Sequence, residues 1–317
     1  MTNILVLSPD AGEAEKYRGL LESALPQDVR VHAGTSTDPG PRLADAEILF
    51  GWKYPPELIA RASALRWVHK ISAGVEDVVG ACRSHPSARL TRTDGIIIAP
   101  RMVEYVLAAV FVTSQNLMRA VRQQAERRWA SYAVGRASGQ TIGVAGLGDI
   151  GLEIARSLHR NGMRVLGWRR SMGPPPDGVE RVYAGNEELA AFVSECAFVV
   201  SVLPATAETD RIFNADVFAA MRPDATFINV GRGLSVDEDA LAQALASGQL
   251  AGAVLDVFRT EPLPATSPLW SSEKVIITPH VSGPIIPEDV VPFFVENFRS
   301  YRAGKSLLRE VDLARGY

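Results

Sequence analysis

A glycine-rich turn at residues 146–151 constrains this chain more than any other feature of its sequence. The apolar run Thr141–Ala145 is typical of a buried parallel strand, and a helical pattern begins directly after the turn. Three glycines at this spacing permit a tight turn, close approach of a pyrophosphate and close packing of helix on strand. The free N–H groups at the helix start also suit phosphate. We therefore predict a dinucleotide site formed by Gly146, Gly148, Asp149, Ile150 and Gly151.

Size and composition narrow the class of protein further. The chain has 317 residues, enough for two domains, and a net charge of −3, which implies no broad attraction to nucleic acid or anionic membrane. Its two cysteines, Cys82 and Cys196, are most simply buried thiols of a reducing compartment. No signal peptide is recognisable, and no apolar run is long enough to cross a bilayer. We expect a cytoplasmic protein that binds a small molecule, without nucleic acid or membrane partners.

Strands alternate with helices along most of the chain, which predicts α/β architecture with parallel sheets. The first hundred residues have five candidate strands, and a long amphipathic helix is predicted from Pro100 to about Trp129. After it, six strands are expected at 141–145, 164–168, 197–203, 225–230, 252–257 and 275–278. This predicts two doubly wound parallel-sheet domains, the second with the order of a dinucleotide-binding fold.

Polar residues at the ends of predicted strands are candidates for chemistry. Ligands of such sheets bind beyond the carboxyl ends of the strands, where the first half of the chain places Trp52, Lys53 and the segment Ser72–Gly74. In the second half, Arg232, Glu261 and His280 follow three successive strands. Reduction of a 2-oxo acid needs a fixed cation for the carboxylate, which Arg232 supplies, and a proton donor, which His280 supplies. Glu261 is the candidate carboxylate partner that orients the imidazole. No metal site is expected.

The end of the second strand predicts which cofactor is used. NAD sites of this fold place a carboxylate there to bind the ribose hydroxyls, about twenty residues after the first glycine. No acid stands at this place, and a 2′-phosphate would instead meet two guanidinium groups and a hydroxyl. We therefore predict that NADPH is preferred, with NAD possible. The residues concerned are Trp168, Arg169, Arg170 and Ser171.

The chain resembles the D-isomer-specific 2-hydroxyacid dehydrogenases, and in particular their glyoxylate/hydroxypyruvate reductase-like, NADPH-using branch. The resemblance rests on the glycine turn, Val202–Thr209, Asn229–Gly233, Leu255–Pro262 and Thr278–His280. It implies a catalytic trio of Arg232, Glu261 and His280, with the backbone amides of Ala73 and Gly74 taking the substrate carboxylate. It implies further cofactor contacts from Leu203, Pro204, Thr209, Val230, Gly231 and Asp256, with Asp256 near the nicotinamide carboxamide.

The resemblance also implies the domain organisation. A Rossmann dinucleotide-binding domain at 100–283 is expected within a flavodoxin-like substrate domain formed by residues 1–99 and 284–317. The family is usually dimeric through the nucleotide domain and the long helix. Tyr105 departs from the family pattern, since many members have histidine at that position.

These features predict an oxidoreductase that transfers hydride from NADPH to a small 2-oxo acid, such as glyoxylate or hydroxypyruvate, to give a D-2-hydroxy acid. Two alternatives remain at this point. One is a dehydrogenase for a bulkier 2-oxo acid, and the other is a nucleotide-sensing protein like the corepressors of the same superfamily.

Overall fold

The chain divides into two compact units in the computed structural model. Unit 1 comprises Met1–Ile97 and Ile285–Tyr317, and unit 2 comprises Ile98–Pro284. Both are α/β units built on parallel sheets, which confirms the predicted fold class. The structure describes residues 2–314, with the exception of Lys53, Tyr54, Pro86, Asp94 and the side chain of Ile96.

Unit 1 is built on a five-stranded sheet in the order β2-β1-β3-β4-β5, with every pairing parallel. This is the flavodoxin-like order. Its strands are β1 (Thr2–Ser8), β2 (Val29–Thr35), β3 (Ile48–Gly51), β4 (Trp67–Lys70) and β5 (Arg89–Arg92). Its helices are α1 (Ala11–Ala24), α2 (Pro56–Arg61), α3 (Val79–Ser84) and α10 (Pro287–Arg302).

Alternation along the strands divides the apolar residues of unit 1 between the two faces of the sheet. Ile4 and Val6 of β1 join one buried cluster, and Leu5 and Leu7 join the other. The first cluster is completed by α10, whose Phe294 packs on Phe50 and Trp67 with ring centroids 4.9 and 5.0 Å apart. The last helix of the chain therefore covers one face of the first sheet.

The rings of Phe50, Trp67 and Phe294 form an aromatic cluster. His69 lies inside it, stacked on Phe50, and is fully buried. Its Nδ1 lies 2.7 Å from the Thr91 hydroxyl, which also accepts a hydrogen bond from Trp67 Nε1. Burial lowers the pKa of His69 from 6.5 to about 3. His69 is therefore a structural residue of the unit 1 core.

We expect His69 to make unit 1 sensitive to acid. The unfolded chain binds a proton at this ring below pH 6.5, whereas the folded chain does so only near pH 3. The free energy of unfolding should therefore fall as the pH drops through this window, by at most about 1.4 kcal/mol per pH unit. Urea unfolding at a series of pH values from about 7 to about 4 measures the slope of this free energy against pH. His69→Gln should flatten it, and an unchanged slope in that variant would assign acid sensitivity to other groups.

Two helices connect unit 1 to the glycine turn where one was predicted. α4 (Gly95–Ser114) and α5 (Leu117–Ala125) are separated at Asn116, whose φ of 52° is left-handed. Asparagine tolerates this conformation better than other residues with a side chain, and it interrupts the helical hydrogen bonds. The single helix predicted from Pro100 to about Trp129 is therefore wrong, because an apolar period of three and four residues does not register one left-handed residue.

One helix among the described residues meets a membrane-span criterion. Ile97–Ser114 of α4 is long and apolar enough by length and composition alone, although the sequence led us to expect no such run. A core helix of a soluble protein passes the same test, and a third of this segment is buried. That expectation did not include the isoleucines that precede Arg101 in the apolar run.

Unit 2 is built on a parallel sheet of seven strands in the order β12-β11-β10-β9-β6-β7-β8. Six were predicted, and the additional one is β8, a four-residue strand at the edge. The strands are β6 (Thr141–Ala145), β7 (Arg164–Arg169), β8 (Arg181–Ala184), β9 (Phe198–Ser201), β10 (Thr226–Asn229), β11 (Gly252–Leu255) and β12 (Val275–Ile277). The helices are α6 (Asp149–Arg160), α7 (Leu189–Ser194), α8 (Ala215–Ala220) and α9 (Glu238–Ser247).

The strand order of unit 2 contains the reversal at which sheets of this type bind their ligands. The chain runs from β6 to β7 and β8 on one side, then returns to place β9 on the other side of β6. A crevice opens at such a reversal, beyond the carboxyl ends of β6 and β9. The glycine turn stands at the end of β6.

Candidate active site

Close packing requires two of the three glycines of the turn, Gly146 and Gly151. Gly146 has a φ of 102°, and a Cβ there would lie 2.9 Å from the Val202 carbonyl oxygen. A Cβ on Gly151 would lie 1.8 Å from the Gly146 carbonyl oxygen. At Gly148 a Cβ would project into open space. The turn is therefore tight on its protein side and open at Gly148, where α6 begins and its first N–H groups lack partners within the helix.

Arg169 ends β7 and lies against the loop that follows. Its Nη2 donates to the Pro174 carbonyl oxygen at 3.1 Å, and a Cβ on Gly173 would lie 2.4 Å from the same nitrogen. Its Nε is buried and has no hydrogen-bond partner among the described residues. An unsatisfied buried guanidinium donor calls for an acceptor that the described chain does not provide.

The residues on either side of Arg169 differ in how far their side chains are exposed to solvent. Trp168 is buried, its indole donates to the Gly185 carbonyl oxygen at 2.9 Å, and its own carbonyl oxygen accepts from the Gly146 N–H at 2.9 Å, so the residue supports the turn from within the sheet. Arg170 and Ser171 are exposed. The charge of Arg170 helps to lower the pKa of Glu208, although hydrogen bonds from Glu208's own backbone and from Thr206 contribute more.

The loop after β9 closes one side of the glycine turn. Leu203 is buried, Pro204 is exposed, and the Thr209 hydroxyl donates to the Pro204 carbonyl oxygen at 2.6 Å. Thr209 therefore braces this loop. After β10, Val230 and Gly231 are buried, and a Cβ on Gly231 would lie 2.6 Å from the Leu203 backbone nitrogen. The two loops consequently pack backbone against backbone.

Hydrogen bonds from two neighbouring side chains fix the backbone of Arg232. The Asn229 side chain donates to the Arg232 carbonyl oxygen at 3.2 Å, and Ser235 Oγ donates to the same oxygen at 2.8 Å. The guanidinium is half-buried and donates to the Gly231 carbonyl oxygen at 2.8 Å. A Cβ on Gly233 would lie 1.9 Å from the Phe258 carbonyl carbon, so the Arg232 loop packs directly on the loop that leads to Glu261.

Glu261 and His280 form a hydrogen-bonded pair. Glu261 Oε2 lies 2.8 Å from His280 Nδ1, and Glu261 Oε1 accepts from the Phe258 backbone N–H at 3.1 Å. An ionised carboxylate only accepts hydrogen bonds, so Nδ1 carries the hydrogen in this pair. Nε2 is then the ring nitrogen that can exchange a proton with a ligand. The side chains are 29% and 41% exposed, which keeps the imidazole within reach of a ligand.

Asp256 holds the loop that carries His280. Its side chain is fully buried, and Oδ1 accepts from the Thr278 hydroxyl at 2.5 Å and from the Val281 N–H at 2.8 Å. Oδ2 accepts from the Ser282 N–H at 2.9 Å. The carboxylate is therefore engaged with residues 278–282. Sequence reasoning, which placed Asp256 near the nicotinamide, missed this role because it depends on contacts across about 25 residues of sequence.

Tyr105 extends this network from α4. Its hydroxyl lies 2.6 Å from Thr278 Oγ1, and because Thr278 donates to Asp256, Tyr105 must donate to Thr278. Burial raises the pKa of Tyr105 to about 12, so the hydroxyl keeps its hydrogen at neutral pH. The same network fixes the backbone of His280, whose φ of 54° is left-handed and whose N–H donates to the Asp256 carbonyl oxygen at 2.9 Å.

The site residues predicted in unit 1 follow strands of its sheet. Trp52 follows β3 and packs partly buried against the aromatic cluster, while Ala73 and Gly74 are half-buried in the loop after β4. Arg92 Nη1 donates to the Ala73 carbonyl oxygen at 3.0 Å. Lys53 lies outside the described residues.

Unit 2 fits a dinucleotide. The turn is open at Gly148, and the first N–H groups of α6 have no acceptor within the helix itself. Together with the buried Arg169 Nε, they are donors that suit phosphate groups. The groups that would face the nicotinamide end, Arg232 and the Glu261–His280 pair, follow β10, β11 and β12, the three strands on the far side of β9 from the glycine turn.

Comparison with known proteins identifies the class that this geometry defines. Residues 107–282 match the family model for the D-isomer specific 2-hydroxyacid dehydrogenase, NAD binding domain. Glyoxylate/hydroxypyruvate reductase A of Serratia proteamaculans (strain 568) is 34% identical over 309 residues, which is 96% of each chain. The chain belongs to the D-isomer-specific 2-hydroxyacid dehydrogenase family, as the sequence had led us to predict. It is an oxidoreductase with a small-molecule substrate.

Solved structures agree over the full length. A D-isomer specific 2-hydroxyacid dehydrogenase from Xanthobacter autotrophicus Py2, in complex with NADPH and MES, is 35% identical with a TM-score of 0.90, and all of both chains is covered. An NADPH-dependent glyoxylate/hydroxypyruvate reductase from Sinorhizobium meliloti, in complex with NADP and sulfate, is 29% identical with a TM-score of 0.89, again over all of both chains.

Proposed function

We propose that this chain is a cytoplasmic NADPH-dependent reductase of small 2-oxo acids, of the glyoxylate or hydroxypyruvate type, that forms D-2-hydroxy acids. The observation that carries the proposal is the Glu261–His280 pair, 2.8 Å apart, in the unit that also contains the glycine turn and Arg169. Relatives named as glyoxylate/hydroxypyruvate reductases, and neighbours bound to NADPH or NADP, support the substrate class and the cofactor.

The cofactor would be held by unit 2. We assign its pyrophosphate to the N–H groups at Gly148, Asp149 and Ile150, and its 2′-phosphate to Arg169, Arg170 and Ser171. The loops after β9 and β10 would line the cofactor through Leu203, Pro204, Thr209, Val230 and Gly231. When bound, the reduced nicotinamide supplies a hydride to the carbonyl carbon of the substrate.

The protein's own residues supply the proton and the charge stabilisation. His280 Nε2 donates a proton to the carbonyl oxygen as negative charge develops there, and Glu261 stabilises the imidazolium and holds the ring. Arg232 polarises the carbonyl and binds the substrate carboxylate as a fixed cation. In unit 1 we assign the carboxylate to the backbone amides of Ala73 and Gly74, and contacts with the rest of the substrate to Trp52 and Lys53.

Turnover of a substrate panel tests this proposal. Micromolar enzyme is mixed with NADPH and one of a series of 2-oxo acids, from glyoxylate and hydroxypyruvate to bulky aromatic ones. The NADPH absorbance should fall fastest with the small acids. A preference for bulky acids would favour the alternative dehydrogenase. Absence of turnover with every acid, despite tight NADPH binding, would favour a nucleotide-sensing role.

We propose that the partner of this chain is a second copy, bound through apolar residues of α4, α5 and the segment after them. These residues are exposed in the single chain, and Trp129 is fully so. An apolar surface of this kind on a protein marks an interface. The residues are Phe111, Leu117, Met118, Val121, Trp129 and Val134.

Light scattering should give twice the mass of one chain, and Val121→Asp should give a monomer, because a buried unpaired carboxylate opposes association. Trp270→Asp is the matched control, since Trp270 is an exposed apolar residue elsewhere in unit 2. A wild-type protein that stays monomeric at micromolar concentration would contradict the proposal.

The two cysteines support the proposed compartment. Cys82 and Cys196 are both buried, and burial raises the pKa of each thiol to about 12. Such thiols are inert and form no disulfide, which supports a cytoplasmic location.

A further inference from the structure

Lys70 is a buried cation that the proposed reaction does not use. It ends β4, and its side chain is 2% exposed. Nζ donates to the Trp52 carbonyl oxygen and to Asp77 Oδ2, the latter at 2.7 Å. Burial of an ammonium is costly unless the charge is paired and hydrogen-bonded. Lys70 therefore ties the loop after β3, which contains Trp52, to the loop after β4, which runs through Asp77 to α3.

Arg92 holds the middle of the same loop from the other side. It ends β5 and lies opposite Lys70 in the parallel register. Its Nη1 donates to the Ala73 carbonyl oxygen at 3.0 Å. In a trans peptide the carbonyl of one residue and the N–H of the next point in opposite directions. The Arg92 bond therefore determines where the Gly74 N–H points.

A third bond fixes the next peptide of the loop. Ser72 Oγ donates to the Gly74 carbonyl oxygen at 2.8 Å, so the short segment Ser72–Gly74 is held at two successive carbonyls. Lys70 lies two residues before this segment, and the Thr93 N–H donates to the Lys70 carbonyl oxygen at 2.9 Å. The N–H groups of Gly74 and Val75 are thus oriented before any ligand arrives.

We propose that Lys70 and Arg92 are positioning residues for the Ala73 and Gly74 amides: Arg92 aims the Gly74 N–H at the substrate carboxylate, and Lys70 anchors the loop on both sides of these amides. The inference rests on the proposed function, in which those amides bind that carboxylate. Amide donors stabilise an anion fully only when they are preorganised toward it. Neither cation takes part in hydride or proton transfer, so their loss weakens binding of the 2-oxo acid and of carboxylate inhibitors, and leaves NADPH binding and the chemical step unchanged.

Steady-state kinetics of Lys70→Met and Arg92→Met test this assignment. Both should raise the glyoxylate KM and the inhibition constant of oxalate by about 10- to 100-fold, the range for one or two misaligned charge-assisted bonds. The NADPH KM and kcat should stay within about threefold of wild type. Asp77→Asn should move the same two constants in the same direction, and Arg92→Lys should recover part of the loss because it keeps a donor.

Arg83→Met is the matched control. Arg83 lies on α3 and also donates to a backbone carbonyl, that of Leu313, at 2.9 and 2.6 Å, but it does not touch the loop. It should leave both constants unchanged. If Lys70→Met does not fold, Arg92→Met and Asp77→Asn carry the test, since both side chains are at least partly exposed.

The outcomes separate this inference from the proposed function. Glyoxylate turnover by the wild type, with KM and oxalate inhibition within about twofold of wild type in Arg92→Met, would overturn the positioning role alone. An equal rise of the glyoxylate and NADPH KM values would show a general structural defect and would also overturn it. Wild-type protein without turnover on any 2-oxo acid would overturn the proposed function and the positioning role together.

Discussion

Replacement of His280 by alanine should lower kcat for glyoxylate reduction by about 100- to 10,000-fold, the usual contribution of a general acid. The carbonyl oxygen would then have to take its proton from water, and the imidazolium that Glu261 stabilises would be absent. The KM for NADPH should change far less, because the glycine turn and Arg169 do not depend on the imidazole. Stopped-flow measurement of a single turnover separates this chemical step from product release.

His159→Ala provides the control for that experiment. His159 is an exposed histidine on α6 of the same unit, so the variant tests loss of a histidine without loss of the Glu261 pair. Its kcat should equal that of the wild type. Near-normal turnover of His280→Ala at neutral pH would remove His280 from the mechanism and would leave the Glu261–His280 bond as a structural contact.

The cofactor preference should be nearly as large an effect. We expect kcat/KM to favour NADPH over NADH by about 10- to 1,000-fold, since each hydrogen bond to a charged group contributes about 1.5–3 kcal/mol and 1.4 kcal/mol is tenfold. The buried Arg169 Nε, without a partner among the described residues, is the structural reason to assign the 2′-phosphate there. Arg169→Asp combined with Arg170→Ala should remove most of the advantage, because a carboxylate repels the phosphate and binds ribose hydroxyls.

Arg164→Ala is the control for the double variant. Arg164 stands at the opposite end of β7 and pairs with Glu180 at 2.6 Å. It removes a surface cation from the same strand and should not change the ratio of the two cofactors. Equal use of NADH and NADPH by the wild type would contradict the assignment of Arg169 and Arg170.

The sequence predicted best the features that depend on local pattern. The glycine turn needs only a strand, three glycines and a helix, and all three are adjacent in the chain, so the prediction and the structure agree there. The break at Asn116 and the short edge strand β8 were not predicted. A single left-handed residue such as Asn116 does not disturb the helical spacing of apolar residues around it. A strand of four residues at a sheet edge is too short for its alternation to be recognised in the sequence.

The network around His280 lay beyond sequence reasoning for a different reason. Tyr105 and Thr278 are separated by 173 residues, and their bond depends on how α4 lies beside β12. The signal that was available is the position of Thr278 two residues before the candidate histidine, at the end of a strand next to the one that presents Asp256. Parallel neighbours bring such residues together, although the sequence does not state that these strands are neighbours.

The position of α10 has a consequence for how the chain folds during synthesis. Unit 2 is one uninterrupted segment with its own core, so it can fold as soon as that segment has left the ribosome. The sheet of unit 1 is synthesised earlier, yet Phe50 and Trp67 lack the Phe294 ring that covers them until α10 emerges. The part of the protein that is made first is therefore completed last, and an apolar face stays exposed for the whole time that the nucleotide-binding unit is being translated.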